Sequence, residues 1–282
     1  MERYFVLLII LGALTALAIV LRILYLAAIR PSTRKCGLER YMQVKFAHRG
    51  LHGDGRAENS LSAFRAAMEA GFGIELDVRL SGDGELVVFH DPTLTRVCGI
   101  DARVLDFTAE ELSVMSLSGT SDGIPTLKEV LALIDGAVPL LIEIKMEGDE
   151  QGVPEALAEV ISDYRGEYIV ESFNPLALRT FKKIMPEVPR GILSTLFTKQ
   201  EKYRGKLIYF LLENMLLNFL AKPDFIAYEK NGHISSPLRL IRKKWSTPLF
   251  AWTVKSPDEE AKTVHDGFDT VIFEGYLADK RK

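Results

Sequence analysis

Cysteine is nearly absent from this 282-residue sequence, which holds only Cys36 and Cys98. Two thiols make neither a disulfide framework nor a zinc-ligating set, and a bridge between these two would merely tie a linker to a loop. An excess of basic charge is also missing: 35 Lys and Arg against 38 Asp and Glu leave a net charge of −3. That balance removes the broad cationic face on which nucleic-acid binding depends. Internal repeats and low-complexity segments are absent, so no solenoid or disordered array is expected. Stretches apolar enough to cross a bilayer are reduced to one, residues 4–29, in which Arg22 is the only charge.

About 20 apolar residues suffice to span a membrane. A cleaved signal peptide would have a shorter apolar core and a small-x-small cleavage site. Here Leu26-Ala27-Ala28-Ile29-Arg30 offers a poor one, and Cys36 lacks the small apolar residues that precede a lipoprotein cysteine. Residues 1–30 are therefore expected to be an uncleaved single-pass anchor in the cell membrane, with Arg22 snorkelling toward the interface. The N-terminal flank carries Arg3, whereas Arg30, Arg34, Lys35 and Arg40 follow the span. The positive-inside rule then places the remainder of the chain in the cytoplasm. A polar linker is predicted over 31–43.

From residue 44 strand-like and helix-like segments alternate, the pattern of a parallel sheet with crossover helices. Strands are predicted over 44–48, 74–80, 140–145, 168–172, 191–194, 225–228, 249–254 and 270–273. Helices are predicted over 59–70, 127–134, 154–164, 175–184 and 258–265. Eight such units predict an α/β fold, a (β/α)8 TIM-type barrel over 44–282, with functional groups at the strand C-terminal ends. Residues 86–89 read as the return of a hairpin through Ser81-Gly82-Asp83-Gly84. Residues 93–124 fit no barrel unit and read as an insertion after that hairpin.

The chemistry concentrates in 44–92. Ile74, Leu76, Val78 and Leu80 alternate with Glu75, Asp77 and Arg79, so one face of the strand carries the charges. Adjacent acids on an inner face repel unless a cation or base stands between them. His48 and His90 each close a short strand, in Phe46-Ala47-His48-Arg49-Gly50 and Phe89-His90-Asp91-Pro92. Imidazole titrates near neutral pH, so two strand-end histidines beside clustered acids read as an acid–base site with a metal. Alternation in Leu141-Ile142-Glu143-Ile144-Lys145 turns Glu143 and Lys145 inward too. Two readings of Glu75, Asp77 and Glu143 stay open on the residues alone: ligands of a hard divalent cation, or ion-pair partners of Arg49, Arg79 and Lys145.

Taken together, His48-Arg49-Gly50, Glu58-Asn59-Ser60 with Ala63-Phe64, Glu75-x-Asp77, Asp83-Gly84, His90-Asp91 and Leu94-x-Arg96 resemble the bacterial-type glycerophosphodiester phosphodiesterase family. Glu143-Ile144-Lys145 and Ala251-Trp252-Thr253-Val254 match later landmarks in the family's order. The resemblance implies one divalent cation, Mg²⁺ or Ca²⁺, on Glu75, Asp77 and Glu143, with Arg49 and Lys145 binding phosphate. It implies acid–base catalysis by His48 and His90, an orienting role for Glu58 and an aromatic wall at Trp252. It also places the 93–124 insertion over the mouth. Asn59 is expected to cap a helix. Lys255 stands where the family often has Asn, which leaves that substrate contact open. His52, His233 and His265 match no motif.

The expected reaction is hydrolysis of glycerophosphodiesters to glycerol 3-phosphate and an alcohol. One alternative is lysophospholipase D-type hydrolysis of lysophospholipids at the membrane; another is a non-catalytic membrane protein with a degenerate barrel. Residues 207–221 (LIYFLLENMLLNFLA) are read as one helix with Asn214 and Asn218 on one face. It either packs its apolar face on the sheet or rests on the membrane surface.

Overall fold

Nine strands form one sheet in the computed structural model, which describes residues 2–34, 37–148, 150–232 and 235–279. They are β1 (Phe46–Ala47), β2 (Gly73–Leu80), β3 (Leu86–Val88), β4 (Leu140–Ile144), β5 (Tyr168–Ser172), β6 (Arg190–Ser194), β7 (Phe225–Glu229), β8 (Leu249–Val254) and β9 (Thr270–Phe273). Eight pair in parallel, and β1 bonds both β2 and β9, which closes the barrel. β3 is the antiparallel return of the hairpin, pairing Val88 with Val78. Lys35, Cys36 and His233 lie outside the described residues, so the Cys36–Cys98 pairing does too.

Period-two alternation divides each strand between two cores. Ile74, Leu76 and Val78 of β2, like Ile142 and Ile144 of β4, belong to the outer shell beneath the helices. Phe46, Leu141, Ile169, Leu193, Phe225, Phe250 and Ile272 fill the interior. Gly191 leaves room for this packing, since a Cβ there would lie 2.2 Å from the Phe225 ring. The segment expected to be a polar linker is part of the fold. Its 3₁₀ turn Leu38–Gln43 buries Leu38 and Tyr41 in the interior cluster, and the Tyr41 hydroxyl donates to the Tyr168 carbonyl at 3.1 Å. Arg34 pairs with Asp224 at 2.7 Å. Charge made 31–43 look like solvent-exposed linker, but Leu38 and Tyr41 were enough to floor the barrel.

The helices number α1 (Glu2–Ala28), α2 (Leu61–Glu69), α3 (Thr95–Cys98), α4 (Ala109–Ser113), α5 (Leu127–Ile134), α6 (Val153–Ile161), α7 (Pro175–Ile184), α8 (Leu207–Glu213), α9 (Asn218–Ala221), α10 (Ser236–Trp245) and α11 (Pro257–His265). Ser60 caps α2, accepting from the Ala63 amide, and not Asn59, whose φ of 56° faces its side chain elsewhere. The 207–221 run is not one helix. It breaks at Met215, which sits at φ 58°, so Asn214 bonds back to Phe210 and Asn218 to Ile29. Residues 93–124 form short helices over a separate small core that includes Val87, Phe89, Leu94, Leu112 and Ile124.

Candidate active site

The strand register builds the acidic centre. Asp77 lies opposite Glu143, and Glu143 opposite Glu171, so neighbouring parallel strands bring three inward acids to one level. Glu75 enters one pleat below. All four are buried. Glu75, Asp77 and Glu143 each offer an oxygen within 4.8 Å of the others. Lys145 Nζ stands 2.7 Å from Glu143 Oε1 and 3.1 Å from Asp77 Oδ1, and Arg49 Nε is 3.2 Å from Asp77 Oδ2. Of the ion pairs read as the alternative, those with Lys145 and Arg49 form. Arg79 turns away to Glu150 and donates to the His90 carbonyl at 2.8 Å.

The turn after β1 is as specific as the strands. Gly50 holds φ 80°, and a Cβ there would lie 2.8 Å from the Ala63 carbonyl carbon, so only glycine closes it. Arg49 and Asn59 also sit in the left-handed region, at φ 54° and 56°, a conformation that costs about 1–2 kcal/mol for such residues. Their site contacts offset it. The Arg49 amide donates to Glu75 Oε2 at 2.9 Å, and the Asn59 side-chain amide donates to Asp77 Oδ2 at 2.8 Å. Glu58 ties Arg49 to Arg96, at 2.8 and 2.7 Å, which links α2 to the insertion.

Each histidine has its own carboxylate. His48 Nδ1 lies 2.8 Å from Glu274 Oε2, and His90 Nδ1 lies 2.5 Å from Asp91 Oδ1. In the neutral rings these partners place the proton on Nδ1 and leave Nε2 unprotonated. Burial pulls both imidazoles below their usual range, more than the neighbouring carboxylates raise them. The bond from His48 holds Glu274 down at about 2. Glu274→Gln is expected to lower kcat at least tenfold, as loss of an orienting carboxylate does in other acid–base pairs. Because Glu274 raises the His48 pKa, its loss should also move the acid limb of the kcat/KM profile to lower pH. An unmoved limb would detach Glu274 from His48.

The acids are driven apart. Burial and the charges of Asp77 and Glu143 raise Glu75 well above the usual carboxyl range. Burial lifts Glu143 to about 7, with Lys145 opposing and Asp77 assisting. Glu171 is raised in the same way, chiefly by burial. For Asp77, burial is outweighed by Lys145, Arg49 and His90, which together hold it well below the usual range. Four buried acids face two cations, and Asp77 Oδ1 accepts no hydrogen bond of good geometry despite the nearby ammonium. This surplus of hard oxygen donors fits a divalent cation.

Four residues escaped the sequence reading. Glu171 was legible by the same alternation that revealed Glu143. Asp91 and Asn59 lay inside quoted motifs, with no signal for their partners. Glu274 follows the last strand, too far in sequence from His48 to be paired with it beforehand. His52 stands within 4.8 Å of His48 and Glu274, closer to the centre than its lack of a motif indicated. His265 is exposed on α11. Trp252 lines the mouth and meets Phe173 edge to face at 5.5 Å. Lys255 Nζ lies 3.3 Å from Glu274 Oε1.

The model of the glycerophosphoryl diester phosphodiesterase family matches residues 48–275. A glycerophosphodiester phosphodiesterase of Caldanaerobacter subterraneus is 32% identical over 241 residues, covering 80% of this chain and 91% of the relative. Rat lysophospholipase D is 28% identical over 144 residues, 46% of this chain and 45% of its own. Among solved structures, an Oleispira antarctica phosphodiesterase in complex with the product sn-glycerol-3-phosphate superposes with TM-score 0.68 at 25% identity, covering 83% and 94% of the two chains. The Thermotoga maritima glycerophosphodiester phosphodiesterase gives 0.60 at 32% identity, covering 82% and 94%.

Proposed function

The chain belongs to the glycerophosphoryl diester phosphodiesterase family and is a phosphoric diester hydrolase, and we propose that it works by histidine acid–base catalysis with one divalent cation, Mg²⁺ or Ca²⁺. The observation that carries this reading is the convergence of Glu75, Asp77 and Glu143, the last two in register, beside two carboxylate-partnered histidines. Those three acids would hold the cation. When bound it neutralises phosphate-oxygen charge and makes phosphorus more electrophilic.

The residues divide the remaining work. Arg49 and Lys145 bind the phosphodiester, exchanging part of their pairing with the acids for substrate oxygens. His48 Nε2 takes the proton of a glycerol hydroxyl as that oxygen attacks phosphorus, while Glu274 stabilises the imidazolium. His90 enters as the imidazolium, with Asp91 on Nδ1, and gives its Nε2 proton to the departing alcohol oxygen. Water then opens the cyclic phosphate to glycerol 3-phosphate, losing a proton to His90 while His48 returns one to the glycerol oxygen, which restores both rings. Glu58 orients Arg49, and Trp252 walls the substrate. Glycerophosphocholine turnover should vanish with a chelator and return with Mg²⁺ or Ca²⁺; full turnover in the chelator would remove the metal from this reading.

The helix Arg3–Ala28 is long and apolar enough to cross a membrane, and we read it as the anchor of a single-pass protein with its barrel in the cytoplasm. Protease added outside intact cells should leave the barrel whole, and digestion with sealed membranes would reverse the orientation. An anchored barrel also favours a second substrate reading, lysophospholipids, because such a site meets lipids at high local concentration.

A further inference from the structure

The chain between β6 and β7 does not pack as a barrel helix should. None of α8 is buried, and Leu207 (70%), Ile208 (50%) and Phe210 (49%) are exposed. Beneath it lies a cavity of about 1020 Å³. His90, Glu143, Lys145 and Trp252 line this cavity together with Ile208, Leu212, Leu217 and Leu220. The volume stands at the top of the range for small-molecule pockets, about 300–1,000 Å³. A glycerophosphodiester with a small polar alcohol has nothing with which to cover four aliphatic side chains.

The anchor ends beside this wall. Tyr25 and Leu26 pack on the outer shell and Ile29 is buried in it. The Ile29 carbonyl accepts from Asn218 at 3.1 Å, and the Arg30 carbonyl from Lys222 at 3.4 Å. The residues that follow the last turn of α1 thus bond directly to α9 and to Lys222 after it. If α1 crosses a bilayer, the lipid boundary must therefore pass within a turn or two of α9, with the exposed apolar side chains of α8 and Phe219 at hand. Apolar surface of this kind inserts into the headgroup–acyl boundary.

We propose that the cavity under α8 and α9 is an acyl-chain subsite, and that single-chain glycerophospholipids enter it sideways from the bilayer. The chain lies against Ile208, Leu212, Leu217 and Leu220, and the phosphodiester reaches Lys145 and His90. This rests on the phosphodiesterase reading above and adds to it the element that selects lipid over soluble substrate.

The test uses the full chain in phosphatidylglycerol vesicles with its cation. Substrates are glycerophosphocholine and its octanoyl, dodecanoyl and palmitoyl 1-acyl forms, hydrolysed by wild type, Ile208→Asp and Leu212→Asn. Partitioning of substrate into the vesicles is common to all three proteins, so their ratio isolates the cavity wall. Losses in kcat/KM should grow with chain length, from within about twofold for glycerophosphocholine to roughly tenfold or more for the palmitoyl form. Glycerophosphocholine turnover reports the fold, and half-exposed Ile208 tolerates a polar residue if Leu212→Asn unfolds. Losses independent of chain length, or none at any length, would overturn the subsite while leaving the phosphodiesterase reading intact. Failure of wild type on every substrate would instead remove that reading.

Discussion

Alanine at His48 or at His90 is expected to depress kcat on glycerophosphocholine by about 10²–10⁴-fold, the range contributed by a positioned acid or base. The loss should be chemical and not structural. Each histidine leaves behind a carboxylate that keeps a cation: Glu274 retains Lys255 at 3.3 Å, and Asp91 retains Arg96 at 2.6 Å. Neither imidazole belongs to the acidic cluster, with His48 Nε2 4.0 Å from Glu75. Cation binding and thermal midpoint should stay near wild type in both variants. The two losses should not multiply in the double variant, because groups that act as a unit are non-additive.

A substrate with a very good leaving group separates the two roles. Its alcohol departs without protonation, so His90→Ala should recover most of its activity while His48→Ala stays slow. Recovery of His48→Ala alone would exchange the assignments. Near-normal turnover of either variant on the ordinary substrate would take that histidine out of the mechanism.

Alternation was the strongest signal in the sequence. It placed every barrel strand to within a few residues, turned Glu75, Asp77 and Glu143 inward, and set the aliphatic partners outward. Applied to Tyr168-Ile169-Val170-Glu171-Ser172, the same rule would have found Glu171. Pairings between distant segments were not legible: Glu274 joins His48 through the barrel closure of β1 on β9, a contact created only by the topology. Local chemistry also misled where two residues compete. Ser60 and Asn59 are both good caps, and the need of buried Asp77 for a donor decided which became one. The 207–221 run failed as one helix for a similar reason. Its periodicity offers apolar residues on all sides, and what breaks it is the docking of Asn218 on the end of α1.

Ion binding should make stability rise more steeply with pH than it does in the ion-free protein. Glu75 and Glu143 are both raised in the ion-free protein, Glu143 to about 7. A raised carboxyl keeps its proton in the folded chain at pH values where the unfolded chain, with a carboxyl pKa of about 4.3, has lost it. Between those limits these two groups bind more protons in the folded state, so their contribution to the stability of the chelated protein should fall as pH rises from about 4.3 to about 7, against the opposite slope of the lowered His48 and His90. A divalent cation requires these groups deprotonated, so its affinity should rise over the same window. At a free concentration of 100 times Kd the ion adds about 2.7 kcal/mol, or roughly 5–10 °C in Tm for a domain of this size. The gain in Tm on adding Mg²⁺ or Ca²⁺ should thus be far larger near pH 8 than near pH 5.5, and Glu143→Gln should shrink the difference. Calorimetry in buffers of different ionisation enthalpy should register proton release on binding at the acid end. An ion-induced gain that is greatest in acid, or one that Glu143→Gln leaves unchanged, would mean that the three carboxylates are ion-pair partners of Lys145 and Arg49 and hold no cation.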